Sequence, residues 1–293
     1  MSVPPARGAG LKIPRRLRVS CSKRPERQAW LDRLTSSVAD LERRWPICVD
    51  DPFDCDDVSC AWVAPATCAD GTPAVLKLGM PHLEAEHEIQ GLRFWGGNPT
   101  VRLLEADDEL NAMLLERCLP GTSLRALPEP EQDAVIAGLL QRLWRVPAAP
   151  HPFRRLSVML DYWSAEIRAA PEKWPDAGLV REGLRLFDEL ARTAPVETLL
   201  ATDLHAGNVL RSEREPWLVI DPKPFVGDPG YDLTQHLFNC ERLVSGPEEV
   251  IARMADLVQL DRDRLRLWTF ARAATEFRAG WNGLTPVARR IAP

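Results

Sequence analysis

Apolar side chains recur at two different spacings in the first part of the chain. Across residues 27–45 they lie three or four positions apart, which predicts an amphipathic helix. Residues 47–78 instead carry short apolar runs broken by Asp, Pro and Gly, and similar runs follow at residues 101–104 and 112–116. A second helix is predicted over residues 82–95, where two glycines follow its end. The pattern therefore predicts a small antiparallel sheet with two helices.

Beyond Pro120-Gly121 the spacing is helical almost everywhere. Two short apolar runs, residues 209–210 and 217–220, interrupt it and flank a polar turn, which predicts a β-hairpin. We therefore predict an α+β protein with a sheet-rich lobe over residues 26–118 and a larger helical lobe over residues 119–293. The helices of the second lobe are predicted at residues 129–145, 155–170, 178–193, 230–244, 247–258 and 261–280.

Composition is consistent with a folded chain that does not bind nucleic acid. The 293 residues are 45% hydrophobic and 27% charged, and the formal net charge is −5. Residues 1–25, rich in Pro, Arg and Ser, are predicted to be a mobile leader. The seven cysteines are scattered, and the sequence shows no signal peptide and no long apolar run. These features predict a cytoplasmic protein with reduced thiols and no membrane span. A zinc or redox role for some cysteines is the alternative.

Three polar residues lie around the predicted hairpin. Asn208 enters its first strand, Asp221 leaves its second strand, and Asp203 lies five residues before Asn208. Antiparallel pairing would bring Asn208 and Asp221 to one end, where amide and carboxylate oxygens can share a hard cation such as Mg²⁺. A neighbouring carboxylate is suited to accept or orient a hydroxyl proton during attack on phosphorus. The pattern indicates phosphoryl transfer; the alternative is a surface hairpin with Asx turns.

Lys77 is the candidate phosphate-binding residue of the first lobe. The chain has 5 lysines against 32 arginines, and Lys77 is the one that lies within an apolar strand. An ammonium on a flexible stem suits nucleotide phosphates, although an edge-strand lysine in solvent is the alternative. Glu84, Glu86 and Glu88 follow on the next predicted helix, and Glu88 is the favoured partner because its surroundings are the most apolar. A solvent-exposed charged face is the competing interpretation.

The connector between the lobes is predicted at residues 114–121. Backbone groups from Glu116 to Cys118 are candidates to hydrogen-bond an adenine edge. A glycine-rich phosphate loop is missing, since residues 54–60 contain no glycine. Backbone amides of Ser59 or Cys60 are the candidates to take its place.

Four motifs in this chain resemble one family. They are Ala-Val-Leu-Lys-Leu at Lys77, Leu-Leu-Glu-Arg-x-x-Pro-Gly at Glu116, Asp-Leu-His-x-Gly-Asn-Val-Leu at Asp203, and Ile-Asp-Pro-Lys at Asp221. In this order they resemble the aminoglycoside phosphotransferase branch of the kinase-like fold. They look most like the subgroup of streptomycin 6-phosphotransferases and hydroxyurea phosphotransferases. The sequence around Asp221 is more similar to the hydroxyurea enzymes. The resemblance covers the chain from about residue 30 to residue 281.

The resemblance implies a protein-kinase-like two-lobed α+β fold and a role for each motif residue. Asp203 would be the catalytic base, Asn208 and Asp221 the Mg²⁺ ligands, Lys77 the contact to the α- and β-phosphates, and Glu88 its partner. The chain departs from the family in two places. Ala201-Thr202 stand where most members have His-Gly, so support for the catalytic loop must come from elsewhere. The other departure is the missing glycine loop.

The residues predict an ATP- and Mg²⁺-dependent kinase. The resemblance implies that its acceptor is a hydroxyl of a small-molecule antibiotic, streptomycin-like or hydroxyurea, and that the reaction confers resistance. The alternative is a nucleotide-binding pseudokinase or regulator with the same fold. Candidate substrate contacts are Asp228, Asp232 and Glu276, although a carboxylate at Asp228 or Asp232 can equally cap the helix that begins there. His205 is predicted to orient the catalytic loop.

Overall fold

The computed structural model of this chain describes residues 10–54, 60–277 and 284–293. The chain divides into two units, Met1–Gly121 and Thr122–Pro293. A sheet dominates the first unit and helices dominate the second, as the spacing of apolar residues predicts.

The sheet of the first unit is antiparallel, with strand order β1-β2-β3-β5-β4. Two helices precede it and a third lies between its third and fourth strands. The elements are α1 (Arg15–Cys21), α2 (Pro25–Arg44), β1 (Ile47–Val49), β2 (Ala61–Cys68), β3 (Pro73–Gly79), α3 (Glu88–Trp95), β4 (Leu103–Asp107) and β5 (Ala112–Glu116).

Helices α1 and α2 pack with the sheet in one apolar cluster. The face of α2 that the sequence predicts as apolar is buried there, with Leu34 and Leu41 at most 1% exposed. Leu17 and Cys21 of α1 belong to the same cluster and are 0% exposed, and the Trp62 indole N–H donates to the Lys12 carbonyl at 2.9 Å. The predicted mobile leader included residues 10–25, and the structure packs this part against the sheet. Residues 1–9 lie outside the described residues.

The helix predicted over residues 82–95 is shorter and interrupted. A 3₁₀ turn at Leu83–Ala85 precedes α3. His87, with φ −120° and ψ 18°, breaks the helical path between them. The helix ends where Gly96 adopts φ 60°, a left-handed conformation that suits glycine. Glu84 therefore lies outside the helix that carries Glu88.

In the second unit, helices surround short strands. Strand β6 (Pro120–Ser123) leads into it from the first unit. It is followed by α4 (Glu129–Leu143), α5 (Leu156–Arg168), α6 (Ala177–Arg192), β7 (Thr198–Leu200), β8 (Val209–Ser212), β9 (Leu218–Val219), β10 (Phe225–Gly227), α7 (Pro229–Phe238), α8 (Arg242–Ser245), α9 (Pro247–Val258), α10 (Arg262–Thr275) and α11 (Leu284–Arg290).

The single helix predicted over residues 230–244 is two helices, α7 and α8. Its break has a long-range cause, because the Glu129 carboxylate of α4 accepts hydrogen bonds from the backbone N–H groups of Glu241 at 2.6 Å and Arg242 at 3.3 Å. These contacts satisfy backbone donors at the start of α8. A residue 112 positions away in sequence thus sets the break.

Helix α10 lies at the centre of the second unit and packs against α6, α7, α9 and α11. Trp268 and Phe270 on α10 are fully buried. Gly183 permits the close approach of α6, since a Cβ at this position would lie 3.0 Å from the Ala271 carbonyl oxygen. Along the described residues, no helix combines the length and apolar character needed to cross a membrane.

Two antiparallel pairs of short strands fix the ends of the predicted catalytic segment. Val209 and Leu210 of β8 pair with Val219 and Leu218 of β9, which is the predicted hairpin. Strand β7 pairs with β10, with Leu200 opposite Phe225. The loop after β7 and the segment between β9 and β10 are thereby held in place at both ends.

Candidate active site

The segment after β7 carries Asp203 on a tightly turned backbone. Thr202 adopts φ 48°, a left-handed conformation that is uncommon for a β-branched residue. The Ala201 carbonyl accepts hydrogen bonds from the Asp203 N–H at 2.7 Å and the Lys223 N–H at 2.8 Å. The Thr202 hydroxyl donates to the Lys223 carbonyl at 2.6 Å. These contacts tie the Asp203 loop to the segment that carries Asp221 and Lys223.

Both carboxylate oxygens of Asp203 have protein partners. The Lys223 ammonium lies 2.5 Å from Oδ2, and the Gln235 side-chain amide donates to Oδ1 at 2.9 Å. The Asp203 side chain is 24% exposed. Asp203 is therefore held in one orientation while part of it remains open to solvent, as a residue that meets a substrate requires.

Asn208 and Asp221 flank the paired residues at one end of the β8–β9 hairpin. The Ile220 N–H donates to the Asn208 carbonyl at 2.9 Å, which extends the β8–β9 pairing to the residue before Asp221. The Asn208 amide N–H donates to the Asp203 carbonyl at 2.9 Å, which orients its side chain. The Asp221 side chain is 38% exposed. The structure thus brings Asn208 and Asp221 to the same end of the hairpin, while their role as metal ligands stays a prediction.

This donor set fits a hard divalent cation. Carboxylate and amide oxygens are the ligands that Mg²⁺ takes in proteins. The Lys223 ammonium, which contacts Asp203, also lies 3.2 Å from Asp221 Oδ2, so both carboxylates face the same positive charge. Sequence reasoning missed Lys223 as a site residue, although the Ile-Asp-Pro-Lys motif contains it.

Asp232 holds the backbone of the loop that carries Asp203. Its Oδ2 accepts the Ala201 N–H at 3.0 Å and the Trp144 indole N–H at 3.1 Å, and its Oδ1 accepts the Thr202 N–H at 2.6 Å. Complete burial raises the pKa of Asp232 to about 6, against the effect of these hydrogen bonds. Asp232 therefore supplies loop support of the kind expected to replace the missing histidine.

Asp228 holds helices together. Its Oδ1 accepts the Gly230 N–H at 2.8 Å and so caps α7, while Oδ2 accepts from Arg264 at 2.5 Å and from the Trp268 indole at 2.8 Å. Asp228 is 2% exposed and Asp232 is 0% exposed. The sequence left open whether Asp228 and Asp232 contact the substrate or the protein at the start of α7. Both residues contact the protein, and their burial does not fit the predicted substrate contact.

A polar chain runs from Asp203 into α10. Arg272 donates to the Gln235 Oε1 at 3.0 Å, so the Gln235 amide nitrogen must face Asp203. Glu276, a predicted substrate contact, lies 3.7 Å from the Arg272 guanidinium. Sequence reasoning missed Gln235 and Arg272, because α10 contains four arginines and the sequence does not show which one is buried.

Aromatic rings surround the Arg272 guanidinium. Its central carbon lies 4.8 Å from the Phe238 ring centroid, 5.1 Å from that of Tyr231 and 5.9 Å from that of Trp163. A guanidinium over aromatic faces gains cation–π stabilisation. This packing fixes the arginine that orients Gln235.

In the first unit, the structure pairs Lys77 with Glu88. The Lys77 ammonium on β3 lies 2.5 Å from Glu88 Oε1 on the first turn of α3. Both residues are buried, at 6% and 2% exposure. A buried ion pair needs this mutual contact because each charge alone would be costly to desolvate. The partner that the sequence favoured is therefore the one observed.

The predicted connector residues are more engaged than the sequence suggests. The Glu116 N–H donates to the Arg102 carbonyl at 2.9 Å, and the Glu116 carboxylate accepts the Arg102 N–H at 3.0 Å. That backbone donor is consequently occupied by protein. Cys118 is 8% exposed. Ser59, the predicted phosphate contact, lies outside the described residues.

A second buried polar cluster joins α4 to α7, α8 and α9. The Asp133 carboxylate contacts His236 at 2.9 Å, Arg242 at 2.7 Å and Arg253 at 2.8 Å. Cys240 lies 3.5 Å from His236 Nε2, and burial raises the pKa of its thiol to about 12. Two guanidinium groups on the same carboxylate disfavour a metal ion here. The cluster therefore connects helices.

Comparison with solved structures identifies the fold. A thermostable mutant of the aminoglycoside phosphotransferase APH(4)-Ia, solved with ADP and hygromycin B, aligns with a TM-score of 0.56 and 16% identity. The alignment covers 88% of this chain and 100% of that chain. At this identity the likeness shows the fold alone, which is the α+β kinase-like fold.

Sequence relatives then define the family. A family model described as aminoglycoside/hydroxyurea antibiotic resistance kinase matches residues 48–282. Streptomycin 6-kinase from Streptomyces griseus is 40% identical over 259 residues, 84% of this chain and 83% of the relative. Hydroxyurea phosphotransferase from Kitasatospora aureofaciens is 40% identical over 252 residues, 83% of this chain and 72% of the relative. The chain belongs to the aminoglycoside/hydroxyurea antibiotic resistance kinase family.

Membership in this family makes the chain a small-molecule kinase that uses ATP. The predictions of fold class, family and enzyme class are confirmed. The comparisons give no support to the alternative of a pseudokinase or regulator.

Proposed function

We propose that this kinase transfers the γ-phosphoryl group of ATP to a hydroxyl of an antibiotic of the streptomycin or hydroxyurea type. The observation that carries the proposal is the orientation of Asp203. Its carboxylate is held by Lys223 and by Gln235 of α7, and Lys223 also contacts Asp221. Resistance would follow because the phosphorylated antibiotic differs in charge and shape from the form that binds its target. ATP as donor places this reaction in the cytoplasm.

In this proposal, Asp203 is the catalytic base. It would accept or orient the proton of the acceptor hydroxyl as the hydroxyl oxygen attacks the γ-phosphorus. The hydrogen bond from Gln235 and the ion pair with Lys223 keep the carboxylate pointed in one direction. Little covalent chemistry is asked of the protein, so fixed geometry is its main contribution.

Asn208 and Asp221 are the proposed ligands of Mg²⁺. Their oxygen donors suit this cation, and the carboxylate of Asp221 already attracts an ammonium in the structure. When bound, the cation would neutralise charge on the phosphate oxygens of the nucleotide.

Lys77 and Glu88 are the proposed nucleotide-binding pair of the first unit. The ion pair holds the ammonium at a fixed place on β3, where it can serve as a point charge for the α- and β-phosphates. We also propose that backbone groups from Glu116 to Cys118 contact the adenine edge. The backbone amide of Ser59 is proposed to contact the phosphates. For Glu116 the contact would use the backbone carbonyl, since its N–H is engaged by Arg102.

The acceptor is proposed to bind where Glu276 meets the Arg272–Gln235 chain. Glu276 offers a carboxylate whose side chain is 14% exposed. A carboxylate in this place would favour cationic acceptors, and streptomycin-type compounds carry cationic groups. A small neutral acceptor of the hydroxyurea type would depend less on Glu276.

The experiment is phosphate transfer from ATP in the presence of Mg²⁺ to streptomycin, hydroxyurea and a panel of other hydroxylated antibiotics. Mass spectrometry should show one acceptor that gains a single phosphoryl group, with ADP formed in equal amount. Samples without acceptor control for hydrolysis of ATP by water. Tight ATP binding without a phosphorylated product from any acceptor would contradict the proposal.

A further inference from the structure

Lys223 joins the two carboxylates of the proposed site. Its ammonium lies 2.5 Å from Asp203 Oδ2 and 3.2 Å from Asp221 Oδ2, and its side chain is 11% exposed. One nearly buried cation thus lies between the proposed catalytic base and a proposed metal ligand. The proposed function does not assign a role to it beyond its contact with Asp203.

The backbone holds Lys223 as firmly as its side chain does. Its N–H donates to the Ala201 carbonyl at 2.8 Å, and its carbonyl accepts the Thr202 hydroxyl at 2.6 Å. Thr202 and Asp221 both adopt left-handed φ values, 48° and 53°. Two unfavourable backbone conformations near one lysine indicate that the surrounding contacts hold the ammonium in a fixed position.

We propose that Lys223 is a positioning residue that acts as an internal counter-ion: it aligns Asp203 and opposes cation binding at Asp221. This inference rests on the proposed function. An ammonium and a divalent cation that share the Asp221 carboxylate repel each other. A lysine suits the role better than an arginine, because a compact charge on a flexible stem can leave one carboxylate and keep the other.

The inference predicts opposite effects on metal binding and on turnover. In Lys223→Met, Asp221 loses its competing cation, and two carboxylates remain close together without an ammonium. The dissociation constant for a divalent cation should therefore fall by about fivefold or more, the smallest effect expected for unit charges at contact distance in water. Turnover should fall by about 10²-fold, because Asp203 loses its alignment. A residue that only stabilises the fold would not tighten metal binding.

The measurement is a titration of the full-length protein with Mn²⁺ alone, without nucleotide, in which the EPR signal reports the unbound cation. Lys223→Arg keeps the charge and should keep the wild-type affinity for Mn²⁺. Lys173→Met, at an exposed position of the 3₁₀ turn Pro171–Lys173, is the matched control. The tighter binding should disappear in the double variant Asp221→Asn, Lys223→Met.

Lys223→Gln provides a second test if Lys223→Met does not fold, because the amide can still donate to a carboxylate; circular dichroism checks folding. Mn²⁺ binding that is unchanged or weaker in a folded, uncharged Lys223 variant would overturn the inference. So would turnover equal to that of the wild type. The two proposals fail in different ways, since a wild-type protein without transfer activity rejects the proposed function while the Mn²⁺ titration still decides the role of Lys223.

Discussion

At the scale of single residues, the site depends on polar groups that are buried for different purposes. Asp203 keeps part of its surface exposed, whereas Asp232 is enclosed and holds the backbone of the loop that carries Asp203. Both are aspartates in the same unit, and their surroundings separate their roles. Burial raises the pKa of Asp232, against the opposing effects of its hydrogen bonds and of the Arg272 charge.

Replacement of Asp232 by Asn tests this role through the pH dependence of stability. The folded-state pKa of about 6 lies above the ordinary 3.8, so the folded protein binds this proton more tightly than the unfolded chain. The contribution of Asp232 to the free energy of unfolding is therefore full below pH 4 and is lost as the pH rises towards 6. Asn does not titrate and would turn an amide N–H towards a backbone donor. Asp232→Asn should cost about 1–3 kcal/mol at pH 7.

Urea unfolding of both proteins between pH 4 and pH 7 measures the effect. The advantage of the wild type over Asp232→Asn should be largest near pH 4 and smaller at pH 7. Asp161→Asn, at an exposed position of α5, controls for the loss of one carboxylate. A difference that is constant with pH would show that Asp232 does not titrate in this range.

At the scale of elements, close packing of α6 on α10 positions the residues that reach Asp203. Arg272 lies on α10 and orients Gln235 of α7, so a shift of α10 would be transmitted to the carboxylate. Gly183 on α6 allows the contact, because its backbone lies against Ala271 and Thr275 of α10. The orientation of Asp203 therefore depends on helix packing as well as on the loop itself.

The α6–α10 contact predicts opposite outcomes for two Gly→Ala substitutions. In Gly183→Ala, the new Cβ would meet the Ala271 carbonyl oxygen at 3.0 Å, so the helices must separate. This should destabilise the protein by about 1–3 kcal/mol. In Gly138→Ala on α4, where nothing lies within 4 Å of the new Cβ, better helix propensity should stabilise it by up to about 1 kcal/mol. Thermal unfolding of the two variants checks the pair, and an equal effect on both midpoints would contradict it.

At the scale of the whole molecule, local sequence patterns predict the elements that carry the proposed site residues. Contacts between residues distant in sequence determine the rest of the structure around them. The hairpin that joins Asn208 to Asp221 and the strand that carries Lys77 follow from short apolar runs bounded by polar turns. The break between α7 and α8 does not, because it depends on Glu129 more than 100 residues away.

Residues whose roles arise from tertiary contacts left no usable signal in the sequence. Gln235 and Arg272 act through each other, and Asp232 acts on a loop about 30 residues before it. A sequence alone could therefore place Asp232 only at the start of a helix. The roles assigned to Lys77, Asp203, Asn208 and Asp221 remain predictions.

The most direct test of the account is the turnover of Asp203→Asn with the phosphorylated acceptor identified from the panel. Loss of the base should lower kcat by about 10²- to 10⁴-fold. The dissociation constant for ATP should change little. Asp188→Asn, on the exposed surface of α6, should match the wild type in both measurements. Wild-type turnover by Asp203→Asn would contradict the assignment of Asp203 as the catalytic base and, with it, the central claim.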